Sequence, residues 1–472
     1  MKKTEHLSKK KVFYLTAILI FLLVSTFFGV SQINQVKEFF SKASDAPANI
    51  YIDTRAILGP LNRSWQNLAQ GGEDHAWRIA PIQDKVAALN PQYIRIDHVY
   101  DFYNIVQGTP GNITFNFDKF DLILNDILAV GAKPFLSLSY MPPAISRGDI
   151  VDQPQNWSDW QLTVQKTIEH VSGTLGIDHV YYEVWNEPDL FGSWKYYGHK
   201  NYLTLYKYAA LGAQTAAQNS AVKTFKIGGP ATTALYRNWF NALADYTLEN
   251  NLRYDFFSWH HYNHDLDHFQ NDIRQIKAWV MRYPQLRETL EIHVTEWGPD
   301  SENHAGYDSD YGAAHTVAGA IVLNSILDKA FIFEIQDGKD GAGQSYWGRW
   351  GLLTHSDSGS QPKPRYYSLL FLDRISDQRL QITGQGSWVK AIAARNPAGN
   401  AEFIMANTDE HNAHNESVPI TFEKIDPGSY ALNLEFLDGR KQSLNLATTS
   451  AVLTTVVPMK PNTVVYGELI KK

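Results

Sequence analysis

Apolar and polar positions follow two different rhythms along this chain. Through roughly residues 50–375, short β-branched and aromatic runs take turns with longer segments whose apolar positions recur at helical spacing. The runs Tyr93–His98, Lys133–Ser139, Val180–Val184, Phe225–Pro230, Asp255–Tyr262, Leu290–Glu296 and Ala330–Gln336 predict strands. Helices are expected near 81–89, 118–130, 158–174, 200–218, 236–249, 268–282 and 311–327, with a last one around Arg365–Phe371. Strands alternating with helices build a parallel sheet. One more strand inside 63–70 brings the count to eight, the number that closes a (β/α)8 barrel.

After about residue 380 the rhythm shortens. Val389–Ala394, Ala401–Asn407, Ser417–Phe422, Ser429–Phe436, Val452–Val457 and Thr463–Leu469 alternate with period two, separated by turn chemistry such as Asp426-Pro427-Gly428 and Asp438-Gly439. This predicts a C-terminal β-sandwich, which the strand Ile50–Ile57 could join, and whose expected role is to brace the barrel. The expected division is therefore 1–30 as a signal-anchor or signal peptide, 31–48 as a linker, 49–375 as the barrel and 376–472 as the sandwich.

Charge and composition narrow the function. The formal net charge is −7, and no basic run lies outside the N-terminus, which argues against nucleic acid as a partner. There is no cysteine, so disulfides and thiolate-bound metals are excluded; with no P-loop or zinc-finger spacing, no cofactor is expected. Lys2, Lys3, Lys9, Lys10 and Lys11 precede an uncharged, mostly apolar stretch from Val12 to Val30. That stretch is close to the ~20 residues needed to span a bilayer. With its basic flank inside, the rest of the chain is expected outside the cytoplasm, tethered to the membrane, or secreted if Gly29-Val30-Ser31 is cleaved. Oligomeric state is not legible.

Two strand ends carry the chemistry. Val180–Val184 runs into Trp185-Asn186-Glu187-Pro188, where proline stops the strand and leaves Glu187 at its carboxyl end. Leu290–Glu296 repeats the design, with Trp297-Gly298-Pro299 following Glu296. In a barrel that end faces the active site. Two carboxylates there suit cleavage of a glycosidic bond, Glu187 as acid/base and Glu296 as nucleophile. Asn186 is a candidate partner for a sugar hydroxyl. Glu183, on the same side of its strand, needs a cation, and Arg95 is the natural one; Arg95 is equally placed to hold Glu296 ionised. His260 and Tyr262 end another strand and are expected to face the sugar or the nucleophile. His98, Trp297, Phe333, Asp337 and Trp347 are further candidates for the mouth of the site, with Trp350 beside them. The cluster His260, His261, His264 and His268 lacks an H-E-x-x-H pattern, and no metal is expected.

The motifs YIRIDHVYD (93–101), GAKPFLSLSYMP (131–142), YYEVWNEPD (181–189), KIGGPAT (226–232), DFFSWHHY (255–262) and IHVTEWGPD (292–300) appear in order. In them the chain resembles clan A glycoside hydrolases, most closely family 39, which includes β-xylosidases, α-L-iduronidases and exopolysaccharide hydrolases. The resemblance implies a barrel with a β-sandwich, a retaining mechanism, and Glu187 and Glu296 in the two roles just given. Two departures stand out. The family tends to have histidine where this chain has Asp97, and often a Tyr-Trp pair where it has Ile332-Phe333, so the sugar does not carry over. The competing expectations are a carbohydrate-binding protein on a hydrolase scaffold and an inverting hydrolase. The latter would hold its carboxyls roughly 6.5–9.5 Å apart rather than the roughly 5–5.5 Å of a retaining enzyme.

Overall fold

The computed structural model describes residues 46–472, apart from 73, 325, 326, 340–344 and 348 and the side chains of 345–347. The expected anchor or signal segment (1–30) and most of the expected linker lie outside the described residues. Among the described residues no helix is long and apolar enough to cross a membrane.

Strand β1 (Ile50–Pro60) comes first. The barrel follows: β2 (Asn67–Gln70), β3 (Tyr93–Ile96), then, after a small hairpin of β4 (Val106–Thr109) and β5 (Asn112–Phe115), β6 (Lys133–Leu138), β7 (Val180–Val184), β8 (Phe225–Thr232), β9 (Phe256–Tyr262), β10 (Glu291–Gly298) and β11 (Lys329–Phe333). The eight strands other than β1 and the hairpin are all parallel and close in the order β10-β11-β2-β3-β6-β7-β8-β9. β2 is the strand expected inside 63–70. The lower half of the barrel interior is filled by aromatic side chains from alternate strands. Phe135 lies 4.6 Å from Phe331 and 5.3 Å from Tyr181 between ring centroids. The interior is thus a packed core below and a polar site above.

The helices obey their apolar stripes. In Leu266–Val280 the buried residues Leu266, Phe269, Ile273, Ile276 and Val280 recur every three or four positions, and Asp265 caps the start by accepting from the Asp267 N–H at 2.9 Å. Asp310–Asn324 differs: from Tyr311 onward every residue is buried. It is covered on its outer side by the second sheet, packing against β15 (Val389–Arg395), β16 (Ala401–Asn407) and β21 (Val464–Lys471). Because this helix follows the strand that carries Glu296, the second sheet supports that part of the barrel from behind.

Between barrel and sheet lie the short pair β12 (Gly338–Lys339) and β13 (Ser345–Trp347). The second sheet adds β14 (Gln378–Thr383), β17 (Glu416–Glu423), β18 (Gly428–Phe436), β19 (Lys441–Thr448) and β20 (Val452–Met459). It is one nine-stranded ladder, β19-β18-β21-β16-β15-β14-β1-β17-β20, rather than two separate sheets. Phe403 on β16 and Phe422 on β17 stand four strands apart, about 19 Å in a flat sheet. Their ring centroids are 6.2 Å apart. The ladder is therefore folded over on itself around a single core, which gives the two facing layers of a sandwich without a break between them. β14 and β19 were not among the expected strands. β19 is an edge strand whose first residues, Lys441-Gln442-Ser443, are exposed, and alternation begins only at Leu444 and Leu446, which pack partly buried against the core of the sheet.

Candidate active site

β7 is buried throughout; Tyr181 and Glu183 point into the barrel, and Val180, Tyr182 and Val184 pack outward against the helices. The strand ends at two residues in the left-handed region, Trp185 (φ 76°) and Glu187 (φ 43°). Neither is glycine, and each such conformation costs on the order of 1–3 kcal/mol. The surroundings hold them. Trp185 is fully buried against Trp194 (5.3 Å) and Tyr140 (5.4 Å), and the Glu187 N–H donates to the Ala231 carbonyl at 2.9 Å. The effect is to deliver both Asn186 and Glu187 to the mouth of the barrel.

β10 solves the same problem with an extra residue. Its pairing with β9 runs Val294↔Trp259 and then Glu296↔His260, so Thr295 is a bulge. Strict alternation would put Glu296 on the outward face with Ile292 and Val294. The bulge shifts the phase and turns Glu296 inward. It also turns Trp297 outward. This indole is 1% exposed and lies under the helix Asp310–Asn324, where a Cβ on Gly319 would come within 2.6 Å of the ring. Trp297 therefore packs the barrel wall, contrary to the expectation that it lines the site.

Inside, the polar groups converge. Arg95, fully buried, donates from Nε to Glu183 Oε2 (2.8 Å), from Nη1 to Glu296 Oε1 (2.8 Å) and from Nη2 to Asn186 Oδ1 (2.7 Å). Burial works against its charge, but Glu183 and Glu296 outweigh it and raise its pKa. Both partners anticipated for Arg95 are thus engaged at once. Tyr262 donates to Glu296 Oε2 at 2.8 Å, and burial together with Glu296 keeps its hydroxyl protonated. His260 Nδ1 lies 2.8 Å from Glu187 Oε1 and 3.3 Å from Glu296 Oε2. Burial opposes charge on His260, yet the two carboxylates raise its pKa. For Glu296, burial raises the pKa and exceeds the opposing pull of His260 and Arg95. The Asn186 amide donates to Tyr140 Oη at 3.2 Å. Tyr140 was not foreseen; its place just beyond the carboxyl end of β6 was the available signal.

One oxygen of Glu187, one of Glu296 and a His260 nitrogen all fall within 4.8 Å of one another. Arg95 already supplies the positive charge a metal would bring there. Among the described residues a second such group joins His264, His304 and Glu410. Its rings are committed to protein contacts: His264 Nδ1 to Tyr311 Oη (2.7 Å), His264 Nε2 to Asp300 (3.2 Å), and His304 Nδ1 accepting from the Gly306 N–H (3.1 Å). His261 points outward to Asp272 (2.6 Å) and His268 is exposed, so the histidines do not assemble around one point.

The remaining candidates divide. His98 forms part of the wall, with Nδ1 2.7 Å from Asp101, its ring stacked on Phe102 and edge-on to Tyr140. Phe333 stands edge-on to Tyr262 at 6.3 Å and to Trp350 at 5.5 Å, beside the hydroxyl that donates to Glu296. Asp337 does not face a sugar. It is 1% exposed, and it is taken up by Lys363 Nζ (3.0 and 3.1 Å) and the Gly351 N–H (2.7 Å), which brace the loop after β11. The Trp347 side chain lies outside the described residues.

Residues 48–432 match the family model of glycosyl hydrolases family 39. The chain belongs to that family. Family 39 membership makes this protein a glycosidase. A β-xylosidase of Caldicellulosiruptor saccharolyticus is 27% identical over 69% of this chain and 71% of its own length. A β-xylosidase of Geobacillus stearothermophilus is 24% identical over 62% of each. In fold, the chain is similar to the family 39 enzyme of Xanthomonas axonopodis pv. citri (TM-score 0.69, 18% identity, 90% of this chain and 98% of that one). It is likewise similar to a monomeric β-xylosidase of Caulobacter crescentus (TM-score 0.70, 20% identity, 90% and 99%).

Proposed function

We propose that this family 39 protein is a retaining glycosidase that cleaves O-glycosidic bonds of an oligo- or polysaccharide by double displacement. Glu187 gives its proton to the leaving oxygen as the bond to the anomeric carbon breaks, and Glu296 forms an ester with that carbon. Glu187 then takes a proton from water, the water oxygen bonds to the carbon, and the ester breaks to free Glu296. Asn186, held by Arg95 and Tyr140, is placed to meet the sugar 2-hydroxyl. The observation that carries this reading is the approach of a Glu187 and a Glu296 oxygen to within 4.8 Å, with His260 Nδ1 between them. That approach supports the closer carboxyl spacing of retaining enzymes over the roughly 6.5–9.5 Å of inverting ones.

Location belongs to the same proposal. The basic flank and the apolar run Val12–Val30 support an extracytoplasmic protein tethered by its N-terminal segment. Fusion of residues 1–45 to a reporter, followed by membrane fractionation, tests it: a reporter left in the soluble cytoplasmic fraction refutes the tether.

The catalytic test uses residues 46–472 with a panel of aryl glycosides and polysaccharides, beginning with the xyloside because the curated relatives are named β-xylosidases. Glu187→Ala and Glu296→Ala are expected to lose turnover, by about 10⁴-fold or more for the nucleophile. Azide is expected to restore Glu296→Ala with inverted product and Glu187→Ala with retained product. Activity surviving Glu296→Ala near the wild-type rate would refute the mechanism, and glycan binding without turnover would favour a binding protein.

A further inference from the structure

Large apolar side chains left in water are few at the mouth of the barrel, and they gather on one side. Leu190 (57% exposed), Phe191 (40%) and Tyr197 (59%) lie in the loop after β7, and Tyr236 (38%) lies in the loop after β8. Among the described residues the loops after β9 and β10, on the Glu296 side, expose none; they contain Asn263-His264-Asp265 and Asp300-Ser301-Glu302-Asn303-His304. The apolar group is held in place. The Leu190 and Phe191 N–H groups both donate to the Glu187 carbonyl (3.0 and 2.7 Å), and the Trp185 indole donates to the Phe191 carbonyl (3.3 Å). The Phe191 ring stands edge-on to Tyr140 at 5.9 Å, on the wall of the site. The two loops are tied together as well. Asp189 accepts from the Thr233 N–H (3.1 Å), and the Thr233 hydroxyl lies 3.2 Å from that of Tyr236. Asn238 donates to Tyr196 (3.1 Å), whose ring is edge-on to Tyr197 at 5.0 Å and to Trp239 at 5.7 Å. Trp239 belongs to the helix Arg237–Glu249, so the exposed group runs outward from the wall of the site to the layer of helices. Apolar surface fixed in water costs free energy that the apolar face of a ligand would recover.

The direction of bond cleavage decides which part of a substrate meets this surface. The leaving oxygen takes its proton from the acid, so the leaving sugar lies on the side of Glu187, and Leu190 stands three residues beyond Glu187. We propose that Leu190, Phe191, Tyr197 and Tyr236 form a platform for the leaving-side sugars, and that the substrate is a glycan chain with at least two units beyond the cleaved bond. The proposal rests on the glycosidase reading above, because it takes Glu187 as the acid. Aromatic and aliphatic side chains match the C–H faces of sugar rings. Xylose and glucose units share such faces, so the platform selects for the length of the chain more than for the sugar in it.

The experiment sets β-xylosyl and β-glucosyl fluoride, whose leaving group is too small to reach the platform and needs little help from an acid, against xylo- and cello-oligosaccharides. Wild-type kcat/KM is expected to rise about 10-fold or more from disaccharide to tetrasaccharide, because contacts to remote units are spent on the reaction. Phe191→Ala and Tyr197→Ala are each expected to lower the ratio of tetrasaccharide to fluoride kcat/KM about 10- to 100-fold, the effect of losing one apolar ring from the contact. A role confined to folding would lower both substrates together and leave the ratio where it was. A disaccharide cleaved as fast as the tetrasaccharide, or a ratio within about 2-fold of wild type in both variants, overturns the proposal. If neither series turns over, saturation-transfer NMR of Glu296→Gln with xylopentaose and cellopentaose decides. Signal that is lost when Phe191→Ala is added supports the platform; equal signal, or none from either sugar, overturns it. Glu187→Ala separates the two readings, since it should lose the tetrasaccharide far more than the fluoride. Wild-type tetrasaccharide turnover in that variant would remove Glu187 as the acid, while the ratio in Phe191→Ala and Tyr197→Ala judges the platform by itself.

Discussion

β10 carries two glutamates inside the same barrel, at opposite ends, in surroundings built from the same parts. At the lower end Glu291 meets His293 (3.1 Å), the Tyr181 hydroxyl (2.8 Å) and Lys226. At the upper end Glu296 meets His260, the Tyr262 hydroxyl and Arg95. The outcomes are opposite. Burial raises Glu291, but hydrogen bonds from His293, Lys226 and Tyr181 overcome it and drive the carboxyl far below the ordinary glutamate range. Burial holds His293 itself down, so near neutral pH it acts as a neutral N–H donor and Lys226 provides the charge. Glu296 is more deeply enclosed, shares Arg95 with Glu183 and shares His260 with Glu187, and its pKa ends raised. The lesson is one of division. A cation with one carboxylate to satisfy makes a stable ion pair, whereas one divided among several leaves a carboxylate with enough affinity for new bonds to be reactive.

Four measurements would break or sharpen that contrast. The largest effect is expected from Arg95→Met, which strands Glu183 and Glu296 without a cation. Urea unfolding should show a loss of about 3–5 kcal/mol, and turnover should vanish with it. Full stability in Arg95→Met would mean that the guanidinium is not what holds the carboxylates. Next comes Tyr262→Phe, which removes one donor from Glu296; kcat is expected to fall about 10- to 100-fold with stability nearly kept.

The third is a pH profile. In the proposed mechanism Glu296 attacks as the carboxylate, and its pKa is raised, so kcat/KM should fall as pH drops through a value above the ordinary glutamate pKa of about 4.3. In Tyr262→Phe that acid limb should move further up. A limb that stays put in the variant would detach Tyr262 from the ionisation of Glu296. The smallest effect belongs to the lower end. Glu291→Gln is expected to leave kcat/KM within about 2-fold and to cost about 1–2 kcal/mol near neutral pH. Because the folded-state pKa of Glu291 is depressed, its stabilisation is complete above about 4.3 and is lost as pH falls below that value. The stability difference between wild type and Glu291→Gln should therefore shrink in acid, which chemical unfolding at a series of pH values would show.

The eight barrel strands and the pair Glu187 and Glu296 were legible in the sequence because a buried parallel strand needs an unbroken apolar run and proline or glycine has to end it. The Arg95–Glu183 pair was legible because an inward charge requires a partner. The face on which Glu296 falls was not, since period-two reading carries it outward with Val294 and only the Thr295 bulge reverses it. Once Glu296 points inward, the outward turn of Trp297 follows, and that much could have been read. Asp337 misled because a carboxylate just past a barrel strand resembles a site residue until Lys363, distant in sequence, closes on it. The folding-over of the second sheet was hidden for a similar reason: its order joins strands from both ends of the chain.

That ladder has a consequence for how the chain reaches its final form. β1 lies inside the sheet, antiparallel to β14 on one side and parallel to β17 on the other. The whole barrel is therefore an insertion in the sheet, looped out between Pro60 and Gln378. During synthesis β1 leaves the ribosome before any barrel strand, and its partners are made only after the barrel is complete. It must wait unpaired through that interval, so barrel and sheet cannot be cut apart at a single point. A truncation beginning at Leu61 would leave both β14 and β17 with a bare edge.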